Sequence, residues 1–175
     1  MDKQKIERIN LEVLYEQYKN QIYTLCIKLV YFKDLADDLF SETWVRVAEK
    51  QHQIDYKKSP ANWIYTICLN IYRKSIRKKQ IENMLDNDAE IMNIKDERFH
   101  AEEDLIRRET SLQLQTSLMK LNDKYRLPII LFYFKELSYN DISTIMKLPL
   151  STVKFRLNQG KMLLKKEMEV SLGNK

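Results

Sequence analysis

Apolar residues recur every three or four positions along most of the chain, which is the spacing of one buried face on an α-helix. In residues 11–31 this spacing predicts one amphipathic helix whose core stripe consists of Leu14, Tyr18, Ile22, Leu25 and Leu29. The chain has only two glycines and three prolines, so few positions interrupt such patterns. Together these features predict an all-α fold.

A second helix is predicted from Asp34, a good N-cap residue, to Lys50. Its buried side would consist of Ala36, Leu39, Phe40, Thr43 and Val47. A different arc mixes acidic and apolar side chains, namely Asp38, Glu42, Val45 and Glu49, with Leu35 at its border. A strip of this kind suits the docking of a basic protein partner, and an ordinary solvated face fits it equally well.

Residues 51–60 have no helical period and end in Ser-Pro, so they predict a loop, and loops of this length in compact helical domains are often functional. The next helix, over residues 61–79, would bury Ile64, Ile67, Cys68 and Ile71. Its other side aligns polar and basic residues beside Trp63, namely Asn62, Thr66, Asn70, Arg73 and Arg77. With Tyr65 and Tyr72 nearby, this side suits unpaired bases, and the alternative is a basic helix end with core aromatics.

Residues 82–104 are acidic and irregular in period, with nine Asp or Glu against two Lys or Arg. This composition predicts a flexible linker that spans at most roughly 75 Å when fully extended. The chain as a whole has a net charge of +5, so the parts outside the linker are strongly basic. We therefore predict two small helical domains, residues 1–81 and 105–175, joined by the linker 82–104.

The second domain should begin with a helix from Leu105 to Leu121, followed by a new helix capped by Asn122 or Asp123 and bent near Pro128. Residues 138–166 then show two short helical patterns separated by Lys147-Leu148-Pro149, which is the outline of a helix-turn-helix.

The first helix of this motif starts with a capping box formed by Ser138 and Asp141. Its apolar positions, at helical spacing, are Ile142, Ile145 and Met146. Pro149 should end it, because proline lacks an N–H and disfavours helical geometry at the preceding residue. The second helix should begin near Leu150.

On that second helix, Val153, Leu157, Gly160 and Leu164 fall on one face, which should be the core face. The opposite arc holds Ser151, Lys154, Phe155, Asn158 and Gln159, and Arg156 and Lys161 flank it. Such side chains suit base edges in the major groove, and the flanking cations suit phosphates. An ordinary helical hairpin with a solvated charged side is the alternative.

The sequence contains no Walker loop, dinucleotide fingerprint or metal-ligand cluster, and His52 and His100 have no evident partners. We therefore expect no enzymatic activity, no metal, no cofactor and no small-molecule substrate. Cys26 and Cys68 are isolated among apolar residues, which favours two buried thiols. No apolar run approaches the roughly 18 residues of a membrane span, and the first ten residues lack a signal-peptide core, so we expect a cytoplasmic protein.

These elements together resemble the sigma-70 family of bacterial RNA polymerase sigma factors, specifically the two-domain extracytoplasmic-function (ECF) group. Three stretches carry the resemblance: DLADDLFSETWVRV, similar to the polymerase-binding helix; NWIYTICLNIYRKSIRKK, similar to the −10-recognition helix; and LNDKYRLPIILFYFKELSYNDISTIMKLPLSTVKFRL, similar to the −35-recognition domain. In this order they cover nearly the whole chain.

The resemblance implies three sets of contacts. Polymerase contacts, to the β′ clamp, would come from Leu35, Asp38, Leu39, Ser41 and Glu42. Contacts to the −10 element would come from Asn62, Trp63, Thr66, Asn70, Arg73 and Arg77, with loop 51–60 capturing a flipped-out base. Contacts to the −35 element would come from Ser151, Thr152, Lys154, Phe155, Arg156, Asn158 and Gln159.

The resemblance further implies binding to core RNA polymerase at the β′ clamp and the β flap, and to promoter DNA in both duplex and single-stranded form. It also implies an anti-sigma factor, which in this family is often membrane-bound. The implied function is promoter recognition and strand opening for transcription initiation. A conventional helix-turn-helix regulator with an N-terminal dimerisation or sensing domain is the alternative.

Overall fold

The computed structural model describes residues 11–30, 32–85 and 103–173, and all regular structure within these ranges is helical. The chain divides into two compact units, residues 1–86 and 87–175. The prediction of an all-α fold with two helical domains is confirmed. Most of the predicted linker 82–104 lies outside the described residues, as does His100.

The described part of the first unit contains four α-helices: α1 (Leu11–Leu29), α2 (Lys33–Lys50), α3 (Pro60–Ile71) and α4 (Arg77–Leu85). A 3-10 turn, Gln51–Gln53, follows α2, and a π-helical turn, Tyr72–Ile76, joins α3 to α4. Helices α1, α2 and α3 pack against one another in pairs. Their shared core is apolar and includes Leu14, Ile22, Leu25, Leu29, Ala36, Leu39, Val47, Ile64 and Cys68.

The start of α2 differs from the prediction. Phe32, not Asp34, is the N-cap residue, with an extended backbone and no side-chain cap. The Phe32 ring is buried, and its carbonyl accepts the first helical hydrogen bond, from the N–H of Ala36 at 3.0 Å. The core contact of Phe32 therefore sets where the chain enters the helix, and Asp34 lies in the first turn, where its charge favours the helix dipole.

Cys26 on α1 and Cys68 on α3 are both buried and neither forms a disulfide, so the prediction of two buried thiols is confirmed. Their sulfur atoms lie 3.8 Å apart. The two residues are 42 positions apart in the sequence, and only the packing of α1 against α3 brings them together.

The second unit comprises α5 (Glu103–Lys120), α6 (Asp123–Ile129), α7 (Tyr139–Met146) and α8 (Leu150–Gly173). The side chain of Asn122 caps α6 by accepting the N–H of Lys124 at 3.1 Å, as predicted. Past Pro128 the chain stays helical and widens into a π-helical turn, Ile130–Phe134. Helix α8 packs against α5, α6 and α7 and so forms the centre of this unit.

Gly160 allows the close approach of α6 and α8. An alanine Cβ at this position would lie 2.7 Å from Ile129 Cδ1 and 3.1 Å from the carbonyl oxygen of Tyr125. The helices could not pack this closely with a larger residue at this position, although glycine lowers the intrinsic helix propensity of α8.

Helix α6 also contains a buried cation. Arg126 is buried and forms an ion pair with Asp123, whose Oδ1 lies 2.9 Å from the guanidinium.

Candidate nucleic-acid interfaces

The helix-turn-helix forms as predicted, from Ser138 to the first turns of α8. The Ser138 hydroxyl accepts the N–H of Asp141 at 3.1 Å and donates to the Asp141 carboxylate at 2.6 Å, which is the capping contact expected from sequence. Ile142, Ile145 and Met146 are buried. Helix α7 therefore starts and packs as its sequence indicates.

The turn of the motif closes in a left-handed conformation at Lys147, with φ 55° and ψ 50°. The N–H of Leu148 donates to the Ser143 carbonyl at 3.0 Å, and the N–H of Lys147 donates to the Thr144 carbonyl at 3.3 Å. This pair of hydrogen bonds is a Schellman motif, which usually has glycine at the left-handed position. Helix α7 thus ends at Met146, before Pro149, and the Pro149 carbonyl accepts the first hydrogen bond of α8 from Val153.

Helix α8 presents the predicted DNA-contacting arc to solvent. Val153, Leu157 and Gly160 are buried on the core face, and Leu164 is half-buried. On the opposite arc Ser151, Lys154, Phe155 and Asn158 are exposed and Gln159 is half-buried, and at its side Thr152 and Arg156 are half-buried. The structure therefore brings all seven predicted −35 residues to one accessible side of one helix.

A cation at the edge of this arc is held by an aromatic side chain. Lys161 Nζ lies 5.7 Å from the centre of the Tyr133 ring. A hydrogen bond with the Tyr133 hydroxyl, with Coulombic attraction to the same group, raises the pKa of Lys161. Tyr133, on the π-helical turn Ile130–Phe134, therefore holds the Lys161 ammonium at the edge of the arc.

The predicted −10 strip is interrupted by the π-helical turn between α3 and α4. Asn70, Arg73 and Arg77 are exposed, whereas Asn62, Trp63 and Thr66 are half-buried. The N–H of Arg77 donates to the Tyr72 carbonyl, five residues back, so a wheel of 100° per residue does not hold across this turn. Arg73 and Arg77 are therefore accessible, but the six residues do not share the single continuous helix face that the sequence predicted.

The tyrosines of this region belong to the core. Tyr65 and Tyr72 are 3% and 1% exposed, so neither ring is available to stack on a base. The Tyr65 hydroxyl donates instead to Gln21 on α1 at 3.1 Å, and burial raises the pKa of Tyr65. The core-aromatic alternative was thus correct for both tyrosines, and Trp63 is the aromatic residue left at the surface.

The predicted polymerase-binding residues divide into accessible and buried groups. Asp38 and Ser41 are exposed and Glu42 is half-buried, whereas Leu35 is 5% exposed and Leu39 is fully buried. As core residues of α2, the two leucines position the acidic residues and have no surface to offer a partner. Asp38 also lies 3.4 Å from Lys79 of α4, so the acidic arc borders the basic end of this unit.

Loop 51–60 is more ordered than its sequence indicated. Its first three residues form a 3-10 turn, Ile54 is buried, and Pro60 is already the first residue of α3. Asp55 organises the remainder, because its carboxylate accepts the N–H of Lys57 at 3.1 Å and its carbonyl accepts the N–H of Lys58 at 2.9 Å. A fixed turn at this point precedes Trp63 on α3.

An apolar groove of about 640 Å³ in the second unit was not predicted from sequence. It opens between α5, the π-helical turn after α6, and the C-terminal half of α8. Its apolar lining consists of Leu114, Leu118, Ile129, Tyr133, Phe134, Leu164 and Met168, and Lys161, Lys165 and Glu169 complete the wall. The apolar spacing of each helix was visible in the sequence, but not the gap that their packing leaves.

The described residues contain no group of three or more His, Cys, Asp or Glu that is placed to hold a metal ion. Among the same residues, no helix is both long enough and apolar enough to span a membrane.

Comparison with known proteins identifies both halves of the chain. Residues 14–81 match the family model for sigma-70 region 2, and residues 111–164 match that for sigma-70 region 4. The chain is 31% identical over 160 residues to the ECF RNA polymerase sigma factor SigW of Bacillus subtilis, covering 86% of this chain and 84% of SigW. It is 30% identical over 168 residues to the RNA polymerase sigma factor YlaC of the same organism, covering 94% and 95%.

Solved structures agree on the fold. The sigma factor RpoE from Bartonella quintana, in complex with the anti-sigma factor NepR, superposes with a TM-score of 0.72 at 20% identity, covering 91% of this chain and 96% of RpoE. CnrH, in complex with the cytosolic domain of CnrY, superposes with a TM-score of 0.66 at 16% identity, covering 91% and 88%. With two sigma-70 regions in order and relatives of this identity over most of its length, the chain belongs to the ECF group of sigma-70 RNA polymerase sigma factors.

Proposed function

We propose that this chain binds core RNA polymerase, directs it to promoters with −35 and −10 elements, and promotes strand opening. The observation that carries the proposal is the presence of a region 2 unit and a region 4 helix-turn-helix in one chain. Sigma factors are initiation factors and not enzymes, so the polymerase supplies the chemistry. The role of this chain is to assemble the complex and to select the site.

The polymerase clamp would dock on the exposed arc of α2. Asp38 and Glu42 lie one helical turn apart, with exposed Ser41 and Val45 beside them. A surface of two carboxylates around an apolar side chain is complementary to a basic partner surface that also has an apolar contact point. Leu35 and Leu39 support this arc from inside the core.

The flap of the polymerase β subunit would occupy the apolar groove of the second unit. Its lining is almost entirely apolar, and Lys161 on its wall would favour an acidic flank on the bound segment, since the charge of Lys165 is already paired with Glu169 at 3.8 Å. A groove between helices of this size fits the apolar face of one helix. Both units would then contact the polymerase, each through its own surface.

Strand opening would depend on the surface of α3 and the π-helical turn that follows it. Arg73 and Arg77 are exposed there, and Asn62 and Trp63 are half-buried at the start of α3, next to the turn organised by Asp55. Cations attract the phosphates of the separating strands, and an indole provides a stacking surface for an unpaired base. Capture of single-stranded −10 bases would make opening favourable.

Recognition of the −35 element would use the exposed arc of α8 in the major groove. Ser151, Lys154 and Asn158 present hydrogen-bonding groups near the N-terminal half of the helix, and Arg156 is placed at the side of the arc. This is the geometry of a recognition helix, whose N-terminal residues contact base edges while flanking cations contact phosphates.

An anti-sigma factor would regulate the chain by covering these surfaces. The sigma factors RpoE and CnrH, which share this fold, were both solved in complex with a partner: RpoE with the anti-sigma factor NepR, and CnrH with the cytosolic domain of CnrY. The apolar groove and the exposed arc of α2 are the two described surfaces that suit such a partner. The cytosolic part of a membrane-bound anti-sigma factor would cover the apolar groove and the exposed arc of α2 in the same way.

The alternative, a conventional helix-turn-helix regulator, explains only the second unit. It gives no role to the sigma-70 region 2 match over residues 14–81, and relatives named as sigma factors cover both units. We therefore favour the sigma factor function.

Charge reversal on α2 tests the proposal. The variant Asp38→Lys/Glu42→Lys should keep its helical circular dichroism, because Asp38 is exposed, the half-buried Glu42 lies outside the apolar core, and surface substitutions usually change stability by less than about 0.5 kcal/mol. It should lose core polymerase in gel filtration, because like charges in such an interface cost several kcal/mol. The matched control is Glu12→Lys/Glu16→Lys, which makes the same charge change at exposed positions of α1. Polymerase binding that survives in a folded Asp38→Lys/Glu42→Lys variant would refute the docking surface.

A further inference from the structure

Phe155 is a large apolar side chain at the centre of the outward face of α8. It is 58% exposed. At 100° per residue it lies opposite the core positions Val153 and Leu157, which are 0% and 2% exposed. Its outward neighbours one turn away, Ser151 and Asn158, are polar and exposed. Phe155 therefore lies mostly outside the core of its own unit.

The position of this ring along α8 matches that of a base contact. Phe155 is the sixth residue of a helix that begins at Leu150, so it lies roughly 8 Å from the helix start. The N-terminal residues of a recognition helix are those that contact base edges. No Asp or Glu occurs between Lys147 and Lys166, so nothing on this stretch repels the DNA backbone.

The chemistry of Phe155 restricts what it can recognise there. Most groups on the base edges of the major groove are hydrogen-bond donors or acceptors, and the C5 methyl of thymine is the apolar exception. Phenylalanine has neither a donor nor an acceptor in its side chain. Ser151, Lys154 and Asn158 supply hydrogen bonds on the same arc, and Phe155 supplies the apolar contact.

We propose that Phe155 is a specificity-determining residue that selects thymine in the −35 element by contact with the thymine methyl group. The inference rests on the proposed function, because it requires α8 to lie in the major groove of the −35 element. It goes further by naming the base and the chemical group that one residue of this chain selects.

Removing only the methyl group tests the inference. The full chain with core polymerase first selects bound duplexes from a pool randomised over the −35 region. Each thymine of the selected element is then replaced, one at a time, by deoxyuridine, which lacks the methyl and keeps the hydrogen-bonding edge. At the position that Phe155 contacts, the wild-type complex should bind the deoxyuridine duplex about fourfold more weakly than the thymine duplex. This factor is equivalent to roughly 0.8 kcal/mol, the contribution of one buried methyl-sized group.

Variants of Phe155 assign that loss to the ring. The complex with Phe155→Ala should bind the thymine and deoxyuridine duplexes equally. Phe155→Leu keeps an apolar side chain, so it should retain part of the wild-type ratio of affinity for the thymine duplex to affinity for the deoxyuridine duplex. Met162→Ala is the matched control, since Met162 is 66% exposed and lies two turns nearer the C-terminus of α8. This control should keep the wild-type ratio. Circular dichroism confirms that each variant is folded.

The outcomes separate this inference from the proposed function. A selected −35 element without thymine, or equal wild-type binding of every thymine and deoxyuridine pair, would overturn the role of Phe155 and leave the sigma factor function intact. A methyl preference that persists in Phe155→Ala would also overturn it, because another residue would then make the contact. Failure of the wild-type complex to select any −35 element would refute the proposed function and this inference together.

Discussion

Replacing Gly160 with alanine tests how closely α6 and α8 pack beneath the recognition surface. The new Cβ would lie 2.7 Å from Ile129 Cδ1 and 3.1 Å from the Tyr125 carbonyl oxygen. Carbon atoms in favourable contact are about 3.5–4.0 Å apart, so the methyl group and Ile129 would overlap. Ile129 is 2% exposed and also lines the apolar groove, so relief of the overlap would require its side chain to shift toward that groove.

Two opposing effects determine how much Gly160→Ala changes the free energy of unfolding. Alanine raises the helix propensity of α8 and should stabilise it by about 1 kcal/mol relative to glycine. Overpacking of a filled core costs about 1–3 kcal/mol. We expect the overpacking to prevail, because the nearest atoms include a backbone carbonyl as well as a buried side chain, and to lower the free energy of unfolding of the second unit by about 1 kcal/mol.

Ile129→Val provides the matched background, because it removes Cδ1, the atom at 2.7 Å. Alone it should cost about 0.5–1.5 kcal/mol. In this background Gly160→Ala should become neutral or stabilising, so the two substitutions should couple by about 1 kcal/mol in a double-mutant cycle.

Urea unfolding of the full chain measures these energies. Trp44 and Trp63 are the two tryptophans of the chain, and both lie in the first unit, so their fluorescence reports that unit alone. Far-UV circular dichroism reports both units, and the transition that fluorescence does not follow belongs to the second. If Gly160→Ala raised the stability of the second unit by about 1 kcal/mol in the wild-type background, this would contradict the inference that α6 and α8 pack too closely at Gly160 to admit a Cβ.

Three further predictions concern other positions. Lys147→Gly should stabilise the second unit by about 0.5–1 kcal/mol in urea, because a non-glycine residue in left-handed geometry costs about 1–2 kcal/mol and the added chain entropy of glycine offsets part of the gain; a destabilised variant would contradict this. Arg73→Ala/Arg77→Ala should leave polymerase binding intact and reduce the permanganate reactivity of thymines in the −10 region, and unchanged reactivity would make these arginines ordinary surface residues. Cys26 and Cys68 should react with a thiol reagent only when the first unit opens, so fast labelling of the native chain would contradict their burial.

The helix-turn-helix was the part most completely predicted from sequence. Its signals are local: a capping pair at Ser138 and Asp141, three apolar positions at helical spacing, and a proline directly before the second helix. Such signals act within a few residues, so they hold without knowledge of the rest of the fold. The same logic placed the exposed arc of α8 opposite its core face.

The predictions that failed depend on packing or on a departure from regular helix geometry. Asp34 was expected to cap α2, but the buried ring of Phe32 sets the start of that helix. The line from Asn62 to Arg77 assumed 3.6 residues per turn, and the π-helical turn at Tyr72–Ile76 breaks that period. For Tyr65 the sequence left a base-stacking surface and the core both open, and only the packing of α3 against α1 and α2 decides for burial.

Features created by contacts between distant segments left no signal in the sequence. The groove lined by Leu114, Tyr133 and Met168 exists only because three helical segments pack with a gap between them. The contact between the Cys26 and Cys68 sulfur atoms has the same origin. Periodicity identifies which face of a helix is apolar, but not which other helix covers it.

The most direct test of the central claim is reconstituted initiation on chromosomal DNA, with the 5′ ends of the transcripts sequenced. Core polymerase together with this chain should start transcription at positions that core polymerase alone does not use, each preceded by shared −35 and −10 sequences. The Asp38→Lys/Glu42→Lys variant should abolish these starts, and the Glu12→Lys/Glu16→Lys control should retain them. The same start sites with and without the chain would contradict the account, as would chain-dependent starts that share no upstream sequence.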